Sequence, residues 1–152
     1  MKALLQRVTR AQVRSREEVL GTIGPGLLVL LGIAHNDSAE DRNWLCHKIP
    51  NLRIFNDAEG QMNRSLLNVG GELLVVSQFT LHANPRKGNR PSYNLAAAPQ
   101  VAQEQYQLMV QELEEILPNK VATGRFAAQM QIDLTNDGPV TVMLDSQNKA
   151  NT

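Results

Sequence analysis

The chain has 152 residues, of which 42% are hydrophobic and 20% charged, and its formal net charge is zero. These values suit one globular domain and exclude a disordered chain or a disulfide-stapled miniature. The one cysteine, Cys46, cannot form an internal disulfide, which favours a reducing compartment. The longest apolar run, Gly26 to Ala34, is too short to span a bilayer. We therefore expect a cytoplasmic protein without a membrane anchor.

Positive charge is concentrated in two stretches of this neutral chain. Residues 1–16 contain five basic residues and no acid, and residues 73–103 contain Arg86, Lys87 and Arg90 and no acid. One interpretation is a solvated face of uneven charge, and the other is a local surface for an anionic ligand. Aromatic residues make up only 4% of the chain, so stacking platforms for nucleic-acid bases are not expected.

The first third of the chain predicts strands. Residues 2–13 alternate apolar and polar side chains, and the runs EEVLGTIG and GLLVLLGIA follow, separated by the turn Gly24-Pro25-Gly26. This order predicts an antiparallel meander. The third run has no polar alternation, so we expect both of its faces to be buried in a central strand.

A helix and a short hairpin are predicted next. Asp37 or Ser38 can cap a helix through AEDRNWLCHKI, and Pro50 should end it. LRIFNDAEGQMN predicts two short strands around residues 57–60. A Gly-Gly pair then precedes ELLVVSQFTL, which predicts a second fully buried strand.

The second half begins with a long polar connection, HANPRKGNRPSYNLAAAP, and connections of this length are often functional. Pro99 opens a second helix, in which an apolar stripe at helical spacing is assigned to the core. The stripe consists of Tyr106, Met109, Leu113 and Ile116. VATGRFA, MQIDLTND and VTVML predict the last strands. NDGPVT lies between the final two and predicts a hairpin turn, with Pro139 at the tolerated first position of the second strand.

About eight or nine strands in hairpin-like runs and two helices predict a single α+β domain. Its sheet should be mostly antiparallel and strongly curved or barrel-like. We expect this domain over residues 1–145, followed by a polar and mobile tail over residues 146–152.

Several kinds of site are absent from the sequence. His35, His47 and His82 show no HxH or HExxH spacing, so no metal or other cofactor is predicted, and each histidine is expected on the surface or in a loop. GTIGPG lacks the lysine and the helix of a phosphate loop. Ser77 lies outside a GxSxG elbow, although a Ser-His-Asp triad assembled in space stays open.

SQFTL, Ser77 to Leu81, marks the point where a buried strand turns polar. A strand end can aim rigid backbone donors at a ligand, and the N–H groups of Phe79 and Thr80 could stabilise an oxyanion. A strand that merely leaves the core is the plainer interpretation. Arg90 and Arg125 are likewise either ligands for phosphate or ribose, or surface salt-bridge partners.

Together these stretches resemble the D-aminoacyl-tRNA deacylase family over nearly the whole chain. SQFTL followed by NDGPVT is the most specific pair of motifs. The other landmarks, in chain order, are QRVTRAQV, GLLVLLGI, RIFNDAEGQMN, GNRPSY and GRFAAQM.

The resemblance implies a β-barrel-like homodimer that hydrolyses the ester joining a D-amino acid, or mischarged glycine, to the 3′-terminal adenosine of tRNA. It implies that the Gly138-Pro139 peptide is cis and enters the partner subunit's site, where its carbonyls reject L side chains. Arg7 is similar to the arginine that braces this loop, and Asn136 and Thr141 are expected to support it. The residues implied around the scissile ester are Ser77, Gln78, Phe79 and Thr80, and those implied to contact tRNA are Arg86, Lys87 and Arg90.

Two chemical routes remain open at this stage. Thr80 could attack the ester directly, but no adjacent base is evident. Alternatively, backbone amides hold the oxyanion while the ribose 2′-OH assists a water molecule. Two other functions also remain open: a non-catalytic RNA-end binding module, and a related deacylase that acts on L-alanyl mischarged tRNA.

Overall fold

The computed structural model describes residues 1–86, 88–118 and 120–151, and it describes residues 150 and 151 by their backbone alone. The predicted α+β class with one curved sheet is confirmed, although a third, short helix is present. In chain order the helices and strands are β1 (Lys2–Ser15), β2 (Glu18–Ile23), β3 (Gly26–Gly32), α1 (Ala39–Asn51), β4 (Phe55–Asn56), β5 (Met62–Arg64), α2 (Leu66–Val69), β6 (Glu72–Ser77), α3 (Pro99–Ile116), β7 (Val121–Thr123) and β8 (Gln131–Asp145).

Strand β1 organises the sheet, because it pairs along both edges. Strand β8 runs antiparallel along one edge, and β2 and β3 follow one another along the other. Ile23 at the end of β2 pairs with Ala11, and Gly26 at the start of β3 pairs with Val8. The predicted meander is therefore wrong, since the Gly-Pro step between β2 and β3 kinks one partner strand without reversing its direction.

The far side of the sheet is parallel and curls back toward β2. Strands β3, β6 and β7 pair in parallel. Gly21 of β2 approaches β7 so closely that a Cβ there would lie 2.8 Å from the carbonyl oxygen of Thr123. The inside of this nearly closed curve is filled by Val8, Ala11, Val13, Ile23, Leu28, Leu74 and Val76.

Helices α1 and α3 cover the outer face of the sheet. Leu27 and Val29 of β3 point into this outer core while Leu28 points into the curve, so the predicted burial of both faces is confirmed. From α3 the core takes Tyr106, Met109 and Leu113 as predicted.

Two helix ends differ from expectation. Ile116 is 39% exposed, and Leu117, at 4%, is buried in its place, because the helix ends at Ile116 and the chain leaves the helical path there. Ser38 caps α1, but the helix continues to Asn51 and keeps Pro50 within its last turn, where the ring is buried. In the described part of the chain, no helix is long and apolar enough to cross a membrane.

The chain after β8 forms 3-10 turns over Ser146–Asn151, with a kink at Asn148, where the backbone is not helical. Its first residue, Ser146, is buried, and its hydroxyl accepts a hydrogen bond from the Met1 ammonium at 2.5 Å. Mobility of the rest of the tail stays a prediction.

Candidate active site

NDGPVT forms a projecting bulge in the middle of β8. Gln6 of β1 pairs with Thr141 and Val8 pairs with Asn136, so two steps along β1 match five along β8. The surplus residues loop outward, with Gly138 and Pro139 exposed and the peptide bond between them cis. The predicted hairpin turn is wrong, because β1 is long enough to pair with β8 on both sides of the insertion.

The Asn136 side chain joins the two ends of this bulge through hydrogen bonds. Its Oδ1 accepts a hydrogen bond from the Val140 N–H at 2.9 Å. Its Nδ2 donates to the Val140 carbonyl at 3.2 Å and to the Thr141 hydroxyl at 3.3 Å. One side chain therefore satisfies backbone groups that the interrupted ladder leaves without strand partners.

Arg7 of β1 contacts the bulge at Asp137. Its side chain is only 8% exposed, and its Nε donates to the Asp137 carbonyl at 3.0 Å and lies 3.3 Å from the carboxylate of the same residue. Its Nη1 donates to the carbonyl of Ile54 at 2.7 Å. A buried guanidinium thus ties the bulge to a second segment of the chain.

Gly138 occupies a position that admits no side chain. Its φ is +140°, and a Cβ would lie 2.6 Å from Val140 Cγ2 and 2.7 Å from the Val140 nitrogen. Real Cβ atoms do not approach backbone so closely, and L side chains rarely adopt such a φ.

The SQFTL segment leaves β6 at Ser77 and turns into a 3-10 helix over Phe79–His82. The Gln78 N–H still bonds the Leu31 carbonyl at 2.7 Å. The next two N–H groups, those of Phe79 and Thr80, find no acceptor among the residues that the structure describes. The side-chain amide of Gln78 donates to the Thr80 hydroxyl at 2.5 Å.

A cavity of 660 Å³ lies beside this strand end. The Phe79 and Tyr93 rings meet edge to face at its wall, with centroids 5.1 Å apart, so the long polar loop is held next to SQFTL. The rest of the wall is mostly small or apolar and includes Ala96, Ala97, Ala98, Phe126, Ala127, Ala128 and Met130. None of these residues is among the site residues predicted from the sequence. The runs of alanine in AAAP and GRFAAQM, at the ends of loops, are the only signal that could have found them.

Within this chain the bulge does not line the cavity. Arg7 pairs with Leu27, which pairs with Leu73 at the start of β6, whereas Ser77 pairs with Leu31 at the other end. Four strand steps separate the two ends, or roughly 13 Å. The structure therefore brings the predicted site residues together as two groups, at opposite ends of β6.

The predicted tRNA contacts lie in the loop that follows SQFTL. Arg86 and Arg90 are exposed there, and Lys87 lies outside the described residues. Arg125 is a salt-bridge partner, because its Nη2 contacts both carboxylate oxygens of Glu18, at 2.8 and 2.9 Å.

None of the three histidines, nor Cys46, lines the cavity. His35 and His47 are exposed as predicted, but His82 is 5% exposed, so the surface prediction for it is wrong. Burial lowers the pKa of His82 and raises the pKa of the Cys46 thiol, which favours their neutral forms. Across the described residues no group of histidine, cysteine or acidic side chains could hold a metal ion.

Comparison with known proteins places these features in a family. The profile described as D-Tyr-tRNA(Tyr) deacylase matches residues 4–145. The chain belongs to this deacylase family. The resemblance drawn from the sequence motifs is confirmed, and with it the prediction of an ester hydrolase of the D-aminoacyl-tRNA deacylase class.

Curated relatives named D-aminoacyl-tRNA deacylase match the chain from end to end. The protein of Bacteroides thetaiotaomicron is 48% identical over 149 residues, 98% of this chain and 99% of the relative. That of Parabacteroides distasonis is 52% identical over the same coverage. That of Dehalococcoides mccartyi strain BAV1 is 53% identical over 151 residues, 99% and 98% of the two chains.

Two solved structures share the fold. One, described as the c-Myc DNA Unwinding Element Binding Protein, has a TM-score of 0.91 at 40% identity and covers 95% of this chain and 98% of its own. The other is described as a probable eukaryotic D-amino acid tRNA deacylase. Its TM-score is 0.81 at 17% identity, with 94% and 97% covered, so that likeness shows the fold alone.

Proposed function

We propose that this protein hydrolyses the ester bond of D-aminoacyl-tRNA and of mischarged glycyl-tRNA, releasing the free amino acid and tRNA. The observation that carries the proposal is that two adjacent N–H groups, that of Phe79 at the wall of an apolar cavity and that of the next residue Thr80, find no acceptor among the described residues, in a chain of the deacylase family. Unpaired backbone donors on a rigid strand end suit a developing oxyanion.

The cavity would hold the aminoacylated 3′-terminal adenosine. Its volume of 660 Å³ lies within the range of small-molecule sites, and its lining is mostly apolar. Arg86 and Arg90 are exposed on the loop that carries Tyr93, a residue of the cavity wall, and this supports a role for them in contacting backbone phosphates of the tRNA. Lys87, between them in sequence, is proposed for the same role.

The chemical step is attack of water on the ester carbonyl. As the new C–O bond forms, negative charge develops on the carbonyl oxygen, where the two N–H groups donate. The bond to the ribose 3′ oxygen then breaks, and that oxygen takes the proton released by the water. Ser77 and Gln78 shape the wall beside the ester.

The ribose 2′-OH is proposed to assist the water, with no protein nucleophile. Among the described residues, the Thr80 hydroxyl has only the Gln78 amide as a hydrogen-bond partner, and that partner is a donor. A base that could remove the Thr80 proton is missing from this arrangement, and an unactivated hydroxyl is a weak nucleophile.

Selection against L-amino acids is assigned to Gly138 and Pro139 of the partner subunit in a homodimer. The distance between bulge and cavity within one protomer supports a contribution from a second chain. Exposed backbone on a bulge fixed by Arg7 and Asn136 can act as a steric wall, and glycine escapes it because it has no side chain. The cytoplasm, where aminoacyl-tRNA is made and used, is the proposed location.

The function is tested by presenting four substrates to the purified protein: D-tyrosyl-tRNA, glycyl-tRNA, L-tyrosyl-tRNA and tRNA mischarged with L-alanine. We expect release of D-tyrosine and glycine, and L-tyrosine release no faster than without protein. Binding of all four without release would indicate an RNA-end binding module. Selective release of L-alanine would indicate the related deacylase, and either result would contradict the proposal.

A further inference from the structure

Arg7 has a partner to which the proposed mechanism gives no role. Its Nη1, which donates to the Ile54 carbonyl at 2.7 Å, also donates to Oδ1 of Asn56 at 3.2 Å. Asn56 lies in β4, at the start of the β4–β5 hairpin, and is exposed. It is the only side-chain amide that contacts Arg7 among the described residues.

The two acceptors at Nη1 fix how the guanidinium is oriented. A guanidinium is planar, so holding one nitrogen with two acceptors also sets the direction of Nε. Nε is the atom that holds the Asp137 carbonyl at 3.0 Å. The orientation of Asp137, and of the bulge that follows it, therefore depends on contacts made by the β4 segment.

Arg7 also lies directly against the glycine of the bulge. A Cβ built on Gly138 would lie 3.4 Å from Nη2 of Arg7. A small rotation of the guanidinium would therefore reach Gly138 through packing as well as through Asp137. The Ile54 contact comes from backbone beside the buried Phe55, so it should survive changes at position 56.

We propose that Asn56 is a positioning residue for stereochemical selectivity, acting on the Gly138-Pro139 bulge through Arg7. This inference rests on the proposed function, since it assigns Asn56 a role in D-versus-L discrimination. It does not place Asn56 in contact with substrate.

The test compares kcat/KM for D-tyrosyl-tRNA and L-tyrosyl-tRNA in three variants. In Asn56→Ala, loss of one hydrogen bond to a charged donor should lower the D-to-L ratio by about 3- to 10-fold. The fall should come from faster L hydrolysis, with the D rate within about twofold of wild type. Asn56→Asp keeps an acceptor oxygen and should retain the ratio. Gln61→Ala removes an amide from the same hairpin that does not contact Arg7, and should change nothing.

The outcomes separate this inference from the function on which it rests. A wild-type protein that releases no D-tyrosine refutes the proposed function, and the inference with it. If the wild-type protein is selective and Asn56→Ala leaves the D-to-L ratio of kcat/KM unchanged, the inference about Asn56 is overturned while the proposed function stands. Equal losses on both substrates with a lower melting temperature, or failure of Asn56→Asp to retain selectivity, also overturn it, because they indicate a purely structural role.

Discussion

At the scale of single residues, the geometry of the bulge depends on Gly138 and Arg7. The reason for glycine is spatial: a φ of +140° and a Val140 nitrogen 2.7 Å from any Cβ. Arg7 was identified by resemblance, but its partners Ile54 and Asn56 lie far away in sequence, so no local pattern could have indicated them.

Gly138→Ala should damage both stability and selectivity. The new methyl group must displace Val140, and a strained φ of this kind costs about 1–3 kcal/mol, measurable by urea unfolding. We expect the D-to-L ratio of kcat/KM to fall about tenfold, equivalent to ~1.4 kcal/mol of lost discrimination.

Gly60→Ala is the matched control for that substitution. Gly60 also has a positive φ, +79°, but a Cβ there meets nothing within 4 Å. This variant should lose about 1 kcal/mol of stability and keep its selectivity. An unchanged ratio in Gly138→Ala, alongside the expected loss of stability, would show that the bulge does not select.

At the scale of helices and strands, periodicity located the elements but not their pairing. The alternation in β1, the continuous runs in β3 and β6 and the stripe on α3 all gave the right type of structure. NDGPVT was misplaced because the residues that make a hairpin turn also make a bulge, and the choice depends on the length of the partner strand. The last residue of the predicted stripe on α3 was wrong, because the helix ends at Ile116, which is 39% exposed, and Leu117 is buried in its place.

Paired truncations on α3 test this assignment of its buried face. Leu113 is 0% exposed in the core between α3 and the sheet, so Leu113→Ala should lower the free energy of unfolding by about 2–5 kcal/mol. Ile116, at 39% exposure, should lose less than about 1 kcal/mol in Ile116→Ala. Urea denaturation of both variants gives the comparison. Similar losses in the two would mean that Ile116 is part of the core after all.

At the scale of the whole molecule, the class of fold was predictable from the sequence, whereas only part of the site was. Hairpin-like runs of strands indicated a curved sheet, whereas the parallel pairing of β3, β6 and β7 joins segments distant in sequence and leaves no local signal. SQFTL stood out as a strand end, but the cavity wall is built by alanines from two loops. Within one chain the bulge and that wall lie toward opposite ends of β6, which are about 13 Å apart along the strand, and this is why a second subunit is central to the proposed selectivity.

Mixed dimers can decide whether the bulge acts in the partner's cavity. Ala98 lies on the exposed rim of the cavity, and Ala98→Trp should block it. In the first mixed dimer, one subunit carries Ala98→Trp and the other carries Gly138→Ala, and two different affinity tags allow it to be isolated. Its one open cavity belongs to the Gly138→Ala subunit. The partner that should guard this cavity has an intact bulge. In the reciprocal dimer, one subunit is wild type and the other carries both substitutions. Its one open cavity belongs to the wild-type subunit, and the bulge that should enter this cavity carries Gly138→Ala. The Ala98→Trp homodimer must hydrolyse neither substrate.

The decisive measurement is the rate of L-tyrosyl-tRNA hydrolysis in these two mixed dimers, with D-tyrosyl-tRNA as the reference. We expect the first dimer to reject the L substrate and the reciprocal dimer to hydrolyse it. The opposite pattern would show that each bulge acts on its own chain, and would contradict selection across the subunit interface.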